Sequence, residues 1–306
     1  MKHFINLSDV TIDEFDQLLK LGLSLKAKQK QGIPHKLLEG KTLGMIFSKA
    51  STRTRVSFEV GMYQLGGMAL FLSQNDIQLG RGESIYDTAH VLSRFLDGIM
   101  IRTFNQEDVE DLARYGSIPI INGLTDTMHP CQIMADLLTV YENKGRLAGL
   151  KLAYVGDGNN IVNSLLQGCA KAGVHISVAS PKGYWCLPNV VEETQNDAAV
   201  TGAKICMTED PEKAVKDADV VVTDTWVSMG QESEKETRIN TFMPYQVNDK
   251  LFGMAKEDAI FLHCLPAYRG YEVTDSVIDG PRSLIFDEAE NRLHAQKAIL
   301  AMLMGG

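Results

Sequence analysis

The sequence predicts a doubly wound α/β protein of two domains, each a mostly parallel sheet flanked by helices. Three observations carry this. Short runs rich in Val, Ile, Leu and Phe stay apolar at successive positions, as strands covered on both faces do. Stretches of helical periodicity alternate with them, which is the order of βαβ units. And 306 residues exceed what one hydrophobic core usually fills.

The first strands read as Thr42–Phe47, Met68–Ser73, Gly98–Arg102 and Ile118–Asn122. After Phe47 the spacing turns helical, with Val56, Val60 and Tyr63 at i, i+4 and i+7. Further helical patterns cover Glu83–Phe95, Gln106–Arg114 and Pro130–Asn143, where Pro130 suits a first helical position. The polar, Gly-containing ENKGRLAGL then breaks the chain and places the domain boundary in or after that helix. A second set follows: Lys151–Val155, His175–Ala179, Ala203–Met207, Val220–Thr223, Ala259–His263 and Ser283–Phe286, with a helix over Asn160–Ala172. The long polar stretch Gly230–Arg238 reads either as a solvated surface loop or as a lid.

Composition excludes several function classes. A net charge of −9 and a pI near 5.3 argue against a nucleic-acid surface, which needs a basic stripe. The start MKHFINLSDVTIDEFDQLL carries acids where a secretion signal would carry an apolar core. No run approaches the roughly 20 apolar residues of a membrane span. The five cysteines are odd in number and scattered without CxxC, which fits reduced thiols in a cytosol.

Chemistry concentrates at strand ends. In FSKASTRTRVSFEVG, Ser51 and Thr52 stand where N-caps belong, and Arg53 and Arg55 lie in the first helical turn. Helix starts favour Asp or Glu, so arginines there suggest an anion that offsets the dipole. On residue types alone the stretch also reads as a capped helix with two solvated arginines. Arg102 ends the strand GIMIR, at the carboxyl edge where open α/β sheets place ligands. His129 and Gln132, in DTMHPCQ, follow the next strand. Guanidiniums and a helix start suit a phosphate, while a His and an amide suit a neighbouring carbonyl, so together they describe a pocket for a small acyl phosphate.

With STRTR, HPCQ, DTWVSMG and HCLP in place, the chain resembles the aspartate/ornithine carbamoyltransferase family over nearly its whole length. The pair Asp224–Gly230 and His263–Pro266 narrows the resemblance to the ornithine branch. It implies a carbamoyl-phosphate-binding domain over 1–145, with a C-terminal helix of about 288–306 packing back on it. It also implies an ornithine-binding domain over 146–287 and an active site in the cleft between the two. Ser51, Thr52, Arg53 and Thr54 would hold the phosphate, with Arg102 as a second cation. His129, Gln132 and Arg292 would bear on the carbamoyl group. Gln78 matches a loop position that reaches a neighbouring subunit's site, so a homotrimer, or a multiple of trimers, with shared active sites is implied.

Asn160, Asp224, Ser228 and Met229 match the family's ornithine positions. Asp224 ends the apolar strand ADVVVTD, where its carboxylate can meet an α-ammonium; Asn160 opens a helix and can serve the α-carboxylate. The family pattern puts the Cys264 backbone and Leu265 against carbamoyl phosphate and the Cys264 thiol near the attacking amine. Arg53, Arg102, His129, Asp224 and Cys264 are then the catalytic candidates. The implied reaction carbamoylates the side-chain amine of L-ornithine, giving L-citrulline and phosphate in arginine biosynthesis. It needs no cofactor and no metal, and implies a cytoplasmic enzyme that engages neither nucleic acid nor membrane.

Other readings compete. Gly156-Asp157-Gly158 after LAYV begins a dinucleotide fingerprint, but the third glycine position is Ile161 and no acid follows the strand HISVA. A zinc site from His129, Cys131, His263 and Cys264 has poor ligand spacing. A non-catalytic binding module, or a related enzyme acting on another amine, completes the set.

Overall fold

β1 (Thr42–Phe47) is buried at every position after its first, as an apolar run covered on both faces should be. β2 (Met68–Ser73), β3 (Gly98–Arg102) and β4 (Ile120–Leu124) join it in a parallel sheet of order β2-β1-β3-β4. The computed structural model describes residues 1–305. Met1–Leu138 and Glu290–Gly306 form one compact unit, and Thr139–Ala289 the other.

In the first unit, the Thr52–Gln64, Ile85–Leu92 and Gln106–Tyr115 helices connect the strands. Ile46, Ile99, Ile101, Val109, Leu112 and Ile120 meet in one apolar cluster of this unit. The strand order reverses between β1 and β3, so the crevice of this sheet opens beyond Phe47 and Arg102. β2 departs from expectation: it is an edge strand, with Met68, Leu70 and Phe71 exposed. The C-terminal helix Ile285–Met304 is fastened into this unit by Lys26 Nζ to Asn291 Oδ1 at 2.8 Å and Lys297 Nζ to Gln64 Oε1 at 2.9 Å.

The second unit holds β5 (Lys151–Val155), β6 (His175–Ala179), β7 (Ile205–Thr208), β8 (Val220–Val222) and β9 (Ile260–Leu262). All pair in parallel, in the order β7-β6-β5-β8-β9. Its reversal lies between β5 and β8, which places the segments after Val155 and Val222 at the crevice. The Asn160–Ala172 helix follows β5 and ends at Gly173, whose φ of +68° is the left-handed cap that glycine adopts without a Cβ penalty.

Several boundaries and one element differ from the sequence expectation. The expected strand Ile118–Asn122 begins only after Pro119, which has no N–H to give a ladder, and runs to Leu124. The expected strand Ala203–Met207 starts at Ile205, because the left-handed cap at Gly202 spends Ala203 and Lys204 on the turn. Ser283–Phe286 is no strand. Ser283 makes a single bridge to Phe261, and the helix begins at Ile285 with Asp287 and Glu288 in its first turn. Acids at a helix start outweighed a short apolar run. Among the described residues, no helix is long and apolar enough to cross a membrane.

Candidate active site

Ser51 is extended and caps the Thr52–Gln64 helix, its side chain accepting from Thr54 N at 3.2 Å. That helix has no acid in its first turn, so the positive end of its dipole stays open to an anion. The two arginines of the motif separate. Arg55 is exposed, bonds Glu59 Oε1 at 3.0 Å and lies 3.8 Å over the Phe71 ring. Arg53 is half-buried, and its charge is felt by His129. Thr52 is exposed and Thr54 buried.

Arg102, at the end of β3, is only 6% exposed, and His129 only 5%. Burial, then the charges of Arg292, Arg102 and Arg53, hold the His129 imidazole well below the usual histidine range. The ring is therefore neutral near pH 7 and can donate one N–H. Gln132, one turn into the following helix, donates to Asp136 Oδ1 at 2.8 Å and accepts from Arg292 Nη1 at 2.6 Å. Arg292 Nη2 reaches Thr54 Oγ1 at 3.1 Å. The structure thus gathers Ser51, Arg53, Thr54, Arg102, His129, Gln132 and Arg292 into one cationic cluster at a helix start. Gln78 is exposed in the short 3-10 helix Gln78–Arg81, and no side-chain hydrogen bond among the described residues ties it to that cluster.

In the second unit Asp224, just beyond β8, is 5% exposed. Its Oδ1 accepts from Cys264 Sγ at 3.2 Å and its Oδ2 from Asn159 Nδ2 at 2.7 Å. Asn160 is half-buried as the first residue of its helix, while Asn159 is the cap, with Oδ1 accepting from Ile161 N at 3.0 Å. Ser228 N donates to Gln231 Oε1 at 3.1 Å, and Met229 is exposed. Leu265 is half-buried with φ +57°, its N–H donating to His263 Nδ1 at 2.9 Å.

The polar stretch Gly230–Arg238 is not wholly solvated. Arg238 is buried, bonds Asp157 Oδ2 at 2.9 Å and Trp226 O at 3.0 Å, and stands 5.1 Å from the Tyr184 ring centroid. Burial raises the Asp157 carboxyl, and Arg238 opposes that rise. Sequence reasoning missed Asn159 and Arg238. The first had a signal, an Asn directly before a helix; the second, inside a charged run, had none.

The rival sites fare differently. Asp224, His263 and Cys264 each bring one potential ligand atom within 4.8 Å of the others. But His263 Nδ1 accepts from Leu265 N, and Nε2 lies 3.2 Å from Glu272 Oε1, so both ring nitrogens are committed. Cys131 donates to Asn122 O at 3.3 Å, and burial pushes its thiol up to about 12, away from the thiolate that zinc prefers. At Gly158, a Cβ would lie 2.3 Å from the Trp185 carbonyl carbon. That glycine serves packing between two loops of the same unit.

Comparisons with known proteins find relatives of both units. The family described as aspartate/ornithine carbamoyltransferase, carbamoyl-P binding domain, matches residues 2–142, and its Asp/Orn binding domain matches residues 148–303. The ornithine carbamoyltransferase of Caldicellulosiruptor saccharolyticus is 59% identical over 306 residues, covering 100% of this chain and 99% of that protein. That of Thermococcus kodakarensis is 57% identical over 300 residues, covering 98% and 95%. Among solved structures, ornithine carbamoyltransferase from Pyrococcus furiosus superposes with a TM-score of 0.97 at 54% identity, covering 100% and 97% of the two chains. Anabolic ornithine carbamoyltransferase from Campylobacter jejuni gives 0.93 at 45%, covering 99% of each.

Proposed function

Because the chain belongs to the aspartate/ornithine carbamoyltransferase family, which matches both of its units, we propose that it transfers the carbamoyl group of carbamoyl phosphate to the side-chain amine of L-ornithine. The amine nitrogen bonds to the carbonyl carbon, the carbon–oxygen bond to phosphate breaks, and citrulline and phosphate result. The observation that carries this reading is the neutral His129 set among three guanidiniums beside an acid-free helix start.

Ser51, Thr52, Arg53 and Thr54 bind the phosphate through the capped turn, and Arg102 adds a second cation. His129, Gln132 and Arg292 face the carbamoyl oxygen, where negative charge develops; a preorganised donor of this kind is worth about 2.7–4 kcal/mol. Asp224 receives the α-ammonium of ornithine, with Asn160, Ser228 and Met229 completing the amino-acid site. An alkylamine titrates near 10.4, so only a minor fraction is nucleophilic at pH 7. The Cys264 thiol, hydrogen-bonded to Asp224, is placed to position that amine or pass on its proton.

We further assign the chain to arginine biosynthesis in the cytoplasm, as a homotrimer in which Gln78 serves a neighbouring subunit. The exposed apolar residues Val56, Tyr63, Met68, Leu70 and Phe71, on one helix and the adjacent edge strand, support a covered surface there. A citrulline assay with carbamoyl phosphate and a panel of amines tests the central claim. Turnover with ornithine, and little with putrescine, lysine or aspartate, is expected; preference for another amine overturns it.

A further inference from the structure

We propose that Asn159 is the positioning residue that aims the Asp224 carboxylate at the amino acid. The inference rests on the reading of Asp224 as the partner of ornithine's α-ammonium. Asn159 Nδ2 donates to Asp224 Oδ2 at 2.7 Å. The other end of the same amide accepts from Ile161 N at 3.0 Å, with Tyr154 Oη 3.4 Å away. The backbone N–H of Ile161 can only donate, so Oδ1 faces it and the NH₂ end of the amide is the one presented to Asp224.

The segment that carries Asn159 is itself held on several sides. Tyr154 Oη donates to Asp157 O at 2.9 Å, and Arg238 holds the Asp157 carboxylate at 2.9 Å. Gly158 N donates to Tyr184 O at 2.9 Å, against a backbone that leaves no room for a Cβ. A neutral amide on such a mount orients a carboxylate without cancelling its charge. Lysine or arginine in its place would compete with the incoming ammonium. Each carboxylate oxygen has more than one acceptor direction, so the Asn159 and Cys264 donors leave directions open for the ligand.

Capping the helix is the simpler role for Asn159, and substitution separates the two. Ser and Asp both cap well, so Asn159→Ser and Asn159→Asp keep the helix start while removing the donor to Asp224. With Asn159→Ser, the KM for ornithine is expected to rise about tenfold or more, with the carbamoyl-phosphate KM unchanged and the protein still folded by circular dichroism. With Asn159→Asp, two carboxylates share the site, and the acid limb of the ornithine kcat/KM profile moves to higher pH. Asp224→Asn is measured alongside. If it leaves the ornithine KM unchanged, the reading of Asp224 fails and the proposal falls with it. If it raises that KM while Asn159→Ser stays within about twofold of the parent, Asn159 is a cap only and the positioning role is overturned.

Discussion

Arg292 and Thr54, 238 positions apart in the chain, are joined by a hydrogen bond of 3.1 Å from Nη2 to Oγ1. The other terminal guanidinium nitrogen, Nη1, donates to Gln132 Oε1 at 2.6 Å, so one planar fork holds the turn capped by Ser51 and the helix after His129 together. Lysine can supply the charge but not the fork. Arg292→Lys is therefore expected to lower kcat/KM for carbamoyl phosphate by about tenfold or more while the protein still folds. Steady-state kinetics together with circular dichroism check this. Near-parental kinetics would mean that the fork has no part in substrate binding.

His129 gives a stability prediction whose sign follows from its environment. Its folded value lies well below the ordinary histidine range, so the unfolded chain takes up a proton that the folded ring refuses. Stability from this group is complete above about pH 6.5 and is lost as pH falls from there toward the folded value. His129→Gln keeps an N–H donor but cannot titrate. Urea unfolding between pH 7 and about 5 is expected to show a smaller loss in the variant than in the parent. Equal slopes would show that the folded ring takes up its proton as readily as the unfolded one.

The Asp157–Arg238 pair predicts a mechanical weakness in the second unit. Both side chains are buried and meet at 2.9 Å, and the remaining carboxylate partner, Glu234, is mostly exposed. Removing one member of a buried pair typically costs about 3–5 kcal/mol, because a charge stays behind without compensation. Asp157→Ala is expected toward the lower end of that range, since Glu234 still holds Arg238 Nε at 3.1 Å. It should also raise the ornithine KM, because the loop bearing Asn159 loses an anchor. Chemical denaturation and kinetics on the same preparation measure both.

How far the sequence was legible follows the length scale of each interaction. β1, β2 and β3 were readable because apolar runs between turn residues are local signals, and the Asn160–Ala172 helix because its cap and its closing glycine are. Ser283–Phe286 failed for the converse reason: three apolar letters after a serine do not distinguish a strand from the first turn of a helix. In the site, Ser51, Arg102 and Asp224 were visible as polar residues at apolar strand ends. Arg292 was not, because its partners Thr54 and Gln132 lie far away in sequence, and only the family resemblance named it. Asn159 lost to its neighbour Asn160. Two adjacent asparagines look alike in sequence and differ only once the helix start decides which one caps.

Lys297 supplies the last prediction. It is fully buried, and its ammonium donates to Gln29 Oε1 at 2.7 Å, Gln64 Oε1 at 2.9 Å and His35 Nε2 at 3.2 Å. His35 Nδ1 lies 2.9 Å from Ile33 O, so the ring donates there and leaves Nε2 to accept from the lysine. The three partners are neutral acceptors, and among the described residues no carboxylate forms an ion pair with this charge. Burial pushes the amine down to about 8. An unfolded lysine titrates near 10.4, so between about 8 and 10.4 the unfolded chain binds the extra proton and stability rises with pH. Lys297→Met keeps the length and removes the charge. The parent is therefore expected to gain on the variant as pH is raised from about 8 to 10, read as the difference between their melting temperatures at each pH. A constant difference across that interval would place the lysine's folded titration at its ordinary value. The neutral cage of Gln29, Gln64 and His35 would then suffice to hold a full charge in the interior.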